Sequence, residues 1–67
     1  MDSYYVELSI LELNKAVHYL ETAVQYMAQA GDLEYEMGRA DRLIAGTMNT
    51  AKELRKHIMY GDAKRKK

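Results

Sequence analysis

His18 and His57 are the only imidazoles in this chain, and no cysteine accompanies them. A metal centre or an acid–base pair needs further ligands on the same helix face or a cleft to shift their protonation. Only Glu53, one helical turn before His57, offers a companion at that spacing. A Glu/His pair of this kind is far more often a surface hydrogen bond than a metal site. Glu34 and Glu36 form a carboxylate pair, but they face solvent and lack a cleft to perturb them. There is no glycine-rich phosphate loop and no nucleophile with a base beside it, and 67 residues are too few to enclose a pocket. The chain is therefore expected to be no enzyme, with no metal and no cofactor.

Charge offers a different chemistry. The formal net charge is zero, yet residues 1–36 hold seven acids against Lys15 alone, and residues 37–67 hold nine cations against three acids. Arg42, Asn49 and Lys56 recur every seven residues, flanked by Arg39 and Lys52, and Lys64, Arg65, Lys66 and Lys67 follow. Such a cluster attracts phosphate without reading base sequence, so nucleic acid is the alternative partner. Opposite charges on the two halves would also draw them together, and each exposed pair would add little stability.

Those side chains must be positioned by helices. The composition is 48% hydrophobic with no proline, and Ala, Leu, Met, Glu, Lys and Gln favour helix nearly throughout. Val6, Ile10, Leu13, Val17, Leu20, Val24 and Met27 alternate steps of four and three. Leu33, Met37, Ala40, Ile44, Thr47, Ala51, Leu54 and Ile58 do the same. Gly31 suits a left-handed helix end and Asp32 the N-cap of the next helix. The expectation is an all-α antiparallel two-helix hairpin over residues 1–60, with helices at 3–30 and 33–60. Residues 61–67 are expected to be a basic, disordered tail.

The two seams fit one register. Met27/Met37, Val24/Ala40, Leu20/Ile44, Val17/Thr47, Leu13/Ala51, Ile10/Leu54 and Val6/Ile58 all have residue numbers summing to 64, centred on the turn. The same rule sets Glu7 near Arg55 and Lys56, Glu12 near Lys52, and Glu21 near both Arg42 and Asp41, the last unfavourable unless Arg42 intervenes. Two details compete with a continuous hairpin. Gly38 and Gly46 weaken helix 2, and Thr50-Ala51-Lys52-Glu53 has the form of a capping box, so a kink is expected near 46–50. Val6, Leu8 and Ile10 alternate with Glu7 and Ser9 as a strand would, which is similar to the ribbon-helix-helix family. That family carries polar or basic side chains on the strand into the major groove, and no cation stands at the corresponding positions here.

Helix 1 has more apolar surface than one partner helix covers. Tyr4, Tyr5, Leu8 and Leu11 lie off the seam, and Tyr19 and Tyr26 follow on the row of Tyr5. Ala16, Ala23 and Ala30 stand beside that row, with Leu43 opposite Ala23. The expectation is a homodimer, a four-helix bundle, through Ala16, Tyr19, Ala23, Tyr26 and Leu43. Tyr4, Tyr5, Leu8 and Leu11 are then left for a larger protein, since tyrosine supplies anchor contacts at interfaces. With no run of about 18 apolar residues, no membrane partner is expected. Met1-Asp2-Ser3 lacks the basic start of a secretory signal, which makes the cytoplasm the default location.

Two further resemblances bear on function. Residues 16–31, followed by Asp32, resemble the second helix and turn of a tetratricopeptide repeat, over a quarter of the chain and without a second copy. In architecture the hairpin is similar to the Rop family of plasmid copy-number regulators, dimeric hairpins that bind paired RNA loops on helix 1. That resemblance implies a dimer and an RNA partner, whereas helix 1 here is acidic. A small regulator or adaptor of the phage or plasmid accessory kind is the leading expectation. A nucleic-acid-binding regulator and a structural assembly subunit are the alternatives.

Overall fold

The computed structural model describes the backbone of residues 2–65 and the side chains of residues 2–58. It is an all-helical hairpin of two elements, α1 (Ser3–Ala30) and α2 (Glu34–Arg65). Asp2, in an extended conformation, caps α1. Its Oδ1 accepts a 3.0 Å hydrogen bond from the Tyr4 amide, satisfying a donor that has no partner within the helix. The strand-like alternation at Val6–Ile10 is overridden, and those residues are helical.

The turn is three residues long. The Gly31 amide donates to the Met27 carbonyl oxygen at 3.1 Å, closing the last turn of α1. Gly31 has φ 83° and ψ 155°, a region almost confined to glycine. Asp32 follows with φ 60°, so it does not take the N-cap role expected of it. An N-cap needs an extended backbone, and Asp32 occupies the left-handed region instead. The first helical hydrogen bond of α2 runs from the Met37 amide to the Leu33 carbonyl oxygen at 2.8 Å, which makes Leu33 the half-helical residue. Glu34 and Glu36 place negative charge in the first turn of α2, where the helix dipole favours it.

Helix 2 does not break. It continues through Gly46 and residues 47–50 and on past residue 60 to Arg65. Thr50 does not open a capping box. Its hydroxyl donates back to the Gly46 carbonyl oxygen at 2.9 Å, so the box-like sequence lies in mid-helix. The expectation of a disordered tail falls mainly outside the described side chains, and Lys66 and Lys67 lie outside the described residues altogether.

The two apolar series form the interface between the helices. All fifteen of their members are buried or half-buried, and the turn is centred on Asp32 as the register requires. Val6, Ile10 and Ala51 form the tightest cluster, with Leu13, Leu54 and Ile58 packed against them. Ala40 is buried near the turn. Between these ends the seam is only half-covered, from Leu13 to Met27 on α1 and at Ile44 and Thr47 on α2.

The hairpin is long and thin, 56 Å by 15 Å by 12 Å. Its accessible surface is 5556 Å², against about 4,300 Å² for a compact monomer of this mass. Its radius of gyration of 15.9 Å likewise exceeds the roughly 11 Å of a compact chain of this length.

Candidate interaction surfaces

Heptad positions sort the outside of the hairpin into distinct faces. On α1, Tyr4 and Leu11 lie seven residues apart with Leu8 between them, on the side turned away from α2. All three are exposed, as is Tyr5. The Tyr4 and Tyr5 rings stand edge to face with centroids 5.4 Å apart, a favourable arrangement for two aromatic quadrupoles. Tyr5, Leu8, Ser9, Glu12 and Leu13 line an open, mostly apolar depression of about 480 Å³. Of the four residues assigned to a protein partner, Tyr5 and Leu8 line this depression, Tyr4 stands against Tyr5, and Leu11 is exposed on the same end of α1 outside it.

The residues assigned to a dimer divide into two kinds. Tyr19 and Tyr26 are 76% and 72% exposed, and Leu43 is 61% exposed. Ala16 and Ala23 are half-buried, as positions that flank the seam. They therefore form the floor of this flank while the tyrosines form its rim. Small residues there let another helix approach closely.

The opposite flank differs. It carries Glu7, Glu21, Glu34 and Asp41 beside the seam, with Asn14, Met48 and Arg55. One flank of the hairpin is therefore charged and the other, holding Ala16, Ala23, Leu43 and Thr50, is largely not.

The expected ion pairs between the helices are not formed. Among the described residues, basic and acidic side chains within 4.0 Å of each other are all three residues apart on one helix. These are Lys15–Glu12 at 3.0 Å, His18–Glu21 at 3.6 Å and Lys56–Glu53 at 4.0 Å. Glu12 and Lys52 do share a level, but both stand on outer faces of their helices, so the seam separates them. Glu21 flanks the seam opposite Asp41 rather than Arg42. Glu53 reaches Lys56 rather than His57. Lys15 is well exposed, and its donated hydrogen bond to Glu12, with that carboxylate's charge, raises its pKa above the ordinary 10.5.

Arg39, Arg42, Lys52 and Lys56 are all exposed along α2. Tyr35, which the sequence reading did not single out, joins two of them. Its ring lies 5.9 Å below the Arg39 guanidinium, within cation–π range. Tyr35, Arg39, Arg42 and Leu43 line a second open depression of about 560 Å³. Its sequence signal was a tyrosine one turn before an arginine. Lys64, Arg65, Lys66 and Lys67 lie outside the residues whose side chains are described. Met48, 57% exposed on the charged flank, was also not anticipated.

Among the described residues no three His, Asp or Glu side chains gather as metal ligands, and no helix is long and apolar enough to cross a membrane. No protein-family model, curated protein or solved structure matches this chain.

Proposed function

We propose that this chain is a small non-enzymatic regulator or adaptor. It dimerises through the Ala16, Tyr19, Ala23, Tyr26 and Leu43 flank into a four-helix bundle. It binds a larger protein through Tyr4, Tyr5, Leu8 and Leu11. The supporting observation is the exposed aromatic and aliphatic cluster at one end of α1, on the side away from α2. A hairpin core does not need these residues, and they carry the aromatic anchors typical of binding hot spots.

The test is site-specific crosslinking in source cells, with a photoreactive residue at Leu11 or, as control, at Asn49 on the outside of α2. The expected result is one discrete adduct larger than a dimer from position 11 and none from position 49. Equal labelling from both positions, or dimer-sized products alone, would sink the partner surface.

A second reading is a nucleic-acid-binding regulator, favoured by the Tyr35, Arg39 and Arg42 grouping, which sets an aromatic ring beside two guanidiniums. It requires affinity that falls steeply with salt and weakens on Arg42→Ala. Salt-independent binding to RNA or DNA, or none, removes it.

A further inference from the structure

We infer that the flank holding Ala16, Ala23, Leu43 and Thr50 is covered by a second copy of this chain, running antiparallel, with α1 against α1 and α2 against α2 about one two-fold axis at mid-hairpin. This rests on the dimer reading above and goes further by fixing the arrangement. The flank of α1 is a ladder of Tyr5, Ser9, Glu12, Ala16, Tyr19, Ala23, Tyr26 and Ala30. Laid antiparallel on itself with residue numbers summing to 35, it sets Tyr5 on Ala30, Tyr26 on Ser9, Tyr19 on Ala16 and Glu12 on Ala23. Every large side chain then meets a small one, which is the condition for close interdigitation.

The flank of α2 is complementary to itself in size and in polar partners. With numbers summing to 93, Glu36 meets His57 and Leu43 meets Thr50, while Arg39 and Glu53 fall one residue from that register and within reach of their long side chains. The two sums are independent, yet they demand the same axis. One crosses α1 between residues 17 and 18, the other crosses α2 between 46 and 47. The hairpin's own register already places those levels side by side, as Val17 with Thr47. A parallel arrangement of the two copies would instead stack Glu12 on Glu53 of the other chain.

Three observations fit that axis. A Cβ at Gly46 would meet nothing within 4 Å, so the second helix can come closest where the axis crosses. The seam is only half-covered at this level, whereas the buried residues lie towards the two ends. The 5556 Å² surface exceeds that of a compact monomer by about 1,200 Å², against the roughly 800 Å² per partner that a stable interface buries. This contact takes up Tyr5, assigned above to the partner surface, and leaves Tyr4, Leu8 and Leu11 outside, available to a different protein.

A charge-swap experiment tests the arrangement. Arg39 and Glu53 are fourteen residues apart on one helix, about 21 Å, so they cannot pair within a chain. Arg39→Glu and Glu53→Arg are prepared separately, checked for helicity by circular dichroism, and sized by light scattering over a dilution series. Each alone is expected to dissociate at about tenfold higher concentration than the native chain, since each dimer then holds two like-charge contacts. An equimolar mixture is expected to regain native affinity as a heterodimer. A native chain that stays monomeric at 100 μM overturns this inference and the dimer reading together. A native dimer whose single variants dissociate no more readily, or whose mixture shows no rescue, overturns the antiparallel arrangement alone.

Discussion

The Thr50 hydroxyl donates to the Gly46 carbonyl oxygen across one turn of α2, at 2.9 Å. It bridges the point where the sequence is least helical, since glycine in a helix interior costs about 1 kcal/mol relative to alanine. Gly38→Ala and Gly46→Ala should each raise the stability of the hairpin by roughly 0.5–1 kcal/mol. The new Cβ has open space at 46 and only the flexible end of Arg42, 4.0 Å away, at 38. Urea melts at low micromolar concentration measure both gains. Self-association should weaken for Gly46→Ala alone, because only that residue lies on the two-fold axis.

The turn offers a sharper contrast. Gly31→Ala forces a Cβ into φ 83°, ψ 155° and should cost about 1–3 kcal/mol. Asp32→Asn at φ 60° should leave the melting temperature nearly unchanged, as Asn and Asp share tolerance of that region. Thermal melts of the two variants side by side decide it. Equal losses would mean that the glycine conformation is not what the turn requires.

Neighbouring residues separate core from surface. Ile10 is 8% exposed and Leu11 is 55% exposed. Ile10→Ala should cost about 2–4 kcal/mol, enough to unfold much of so small a domain, whereas Leu11→Ala should stay within about 0.5 kcal/mol. Denaturant titration followed by circular dichroism reads both. With the photoreactive residue moved to Leu8, crosslinking to a larger protein should be lost in the Leu11 variant although it stays folded.

The Lys15–Glu12 pair sets a pH dependence of known sign. A lysine whose folded-state pKa is raised adds stability that is fully present below its unfolded value, 10.5, and lost as pH rises through the folded one. The melting-temperature difference between the native chain and Lys15→Met should therefore be constant from pH 7 to pH 9 and shrink in the alkaline range. Both side chains are well exposed, so the difference should be small throughout and smaller still in high salt. A difference that grew above pH 10 would contradict the assignment.

The seams were legible because a heptad step and a constant register sum are long-range signals: seven layers either agree or fail together. Gly31 was legible for the same reason that any tight reversal is, through the residue that alone tolerates its backbone. Asp32 was misread because aspartate serves both as an N-cap and as a left-handed turn residue, and the three-residue reversal demanded the second role. Thr50 was misread because a capping box and an interior threonine share one sequence form, and seam packing on both sides keeps the helix intact. The interhelical ion pairs failed for a different reason: the register fixes level along the hairpin but not azimuth, so Glu12 and Lys52 share a height and face apart. Ala16 and Ala23 are half-buried rather than exposed because positions beside a seam are partly covered by the hairpin itself.

The tight cluster of Val6, Ile10 and Ala51 joins segments about forty residues apart in the chain, whereas Met27 and Met37 face each other across the turn. Closing the short loop costs less chain entropy, so the hairpin is expected to zip from Asp32 outward and the Val6 cluster to close last. Amide hydrogens near residues 3–12 should then exchange through partial opening of that end, while those beside the turn wait for global unfolding. The surface carrying Tyr4, Leu8 and Leu11 rides on the segment that opens first. A bound partner would clasp it shut, and the slowing of exchange in that stretch would report occupancy without any change in the fold.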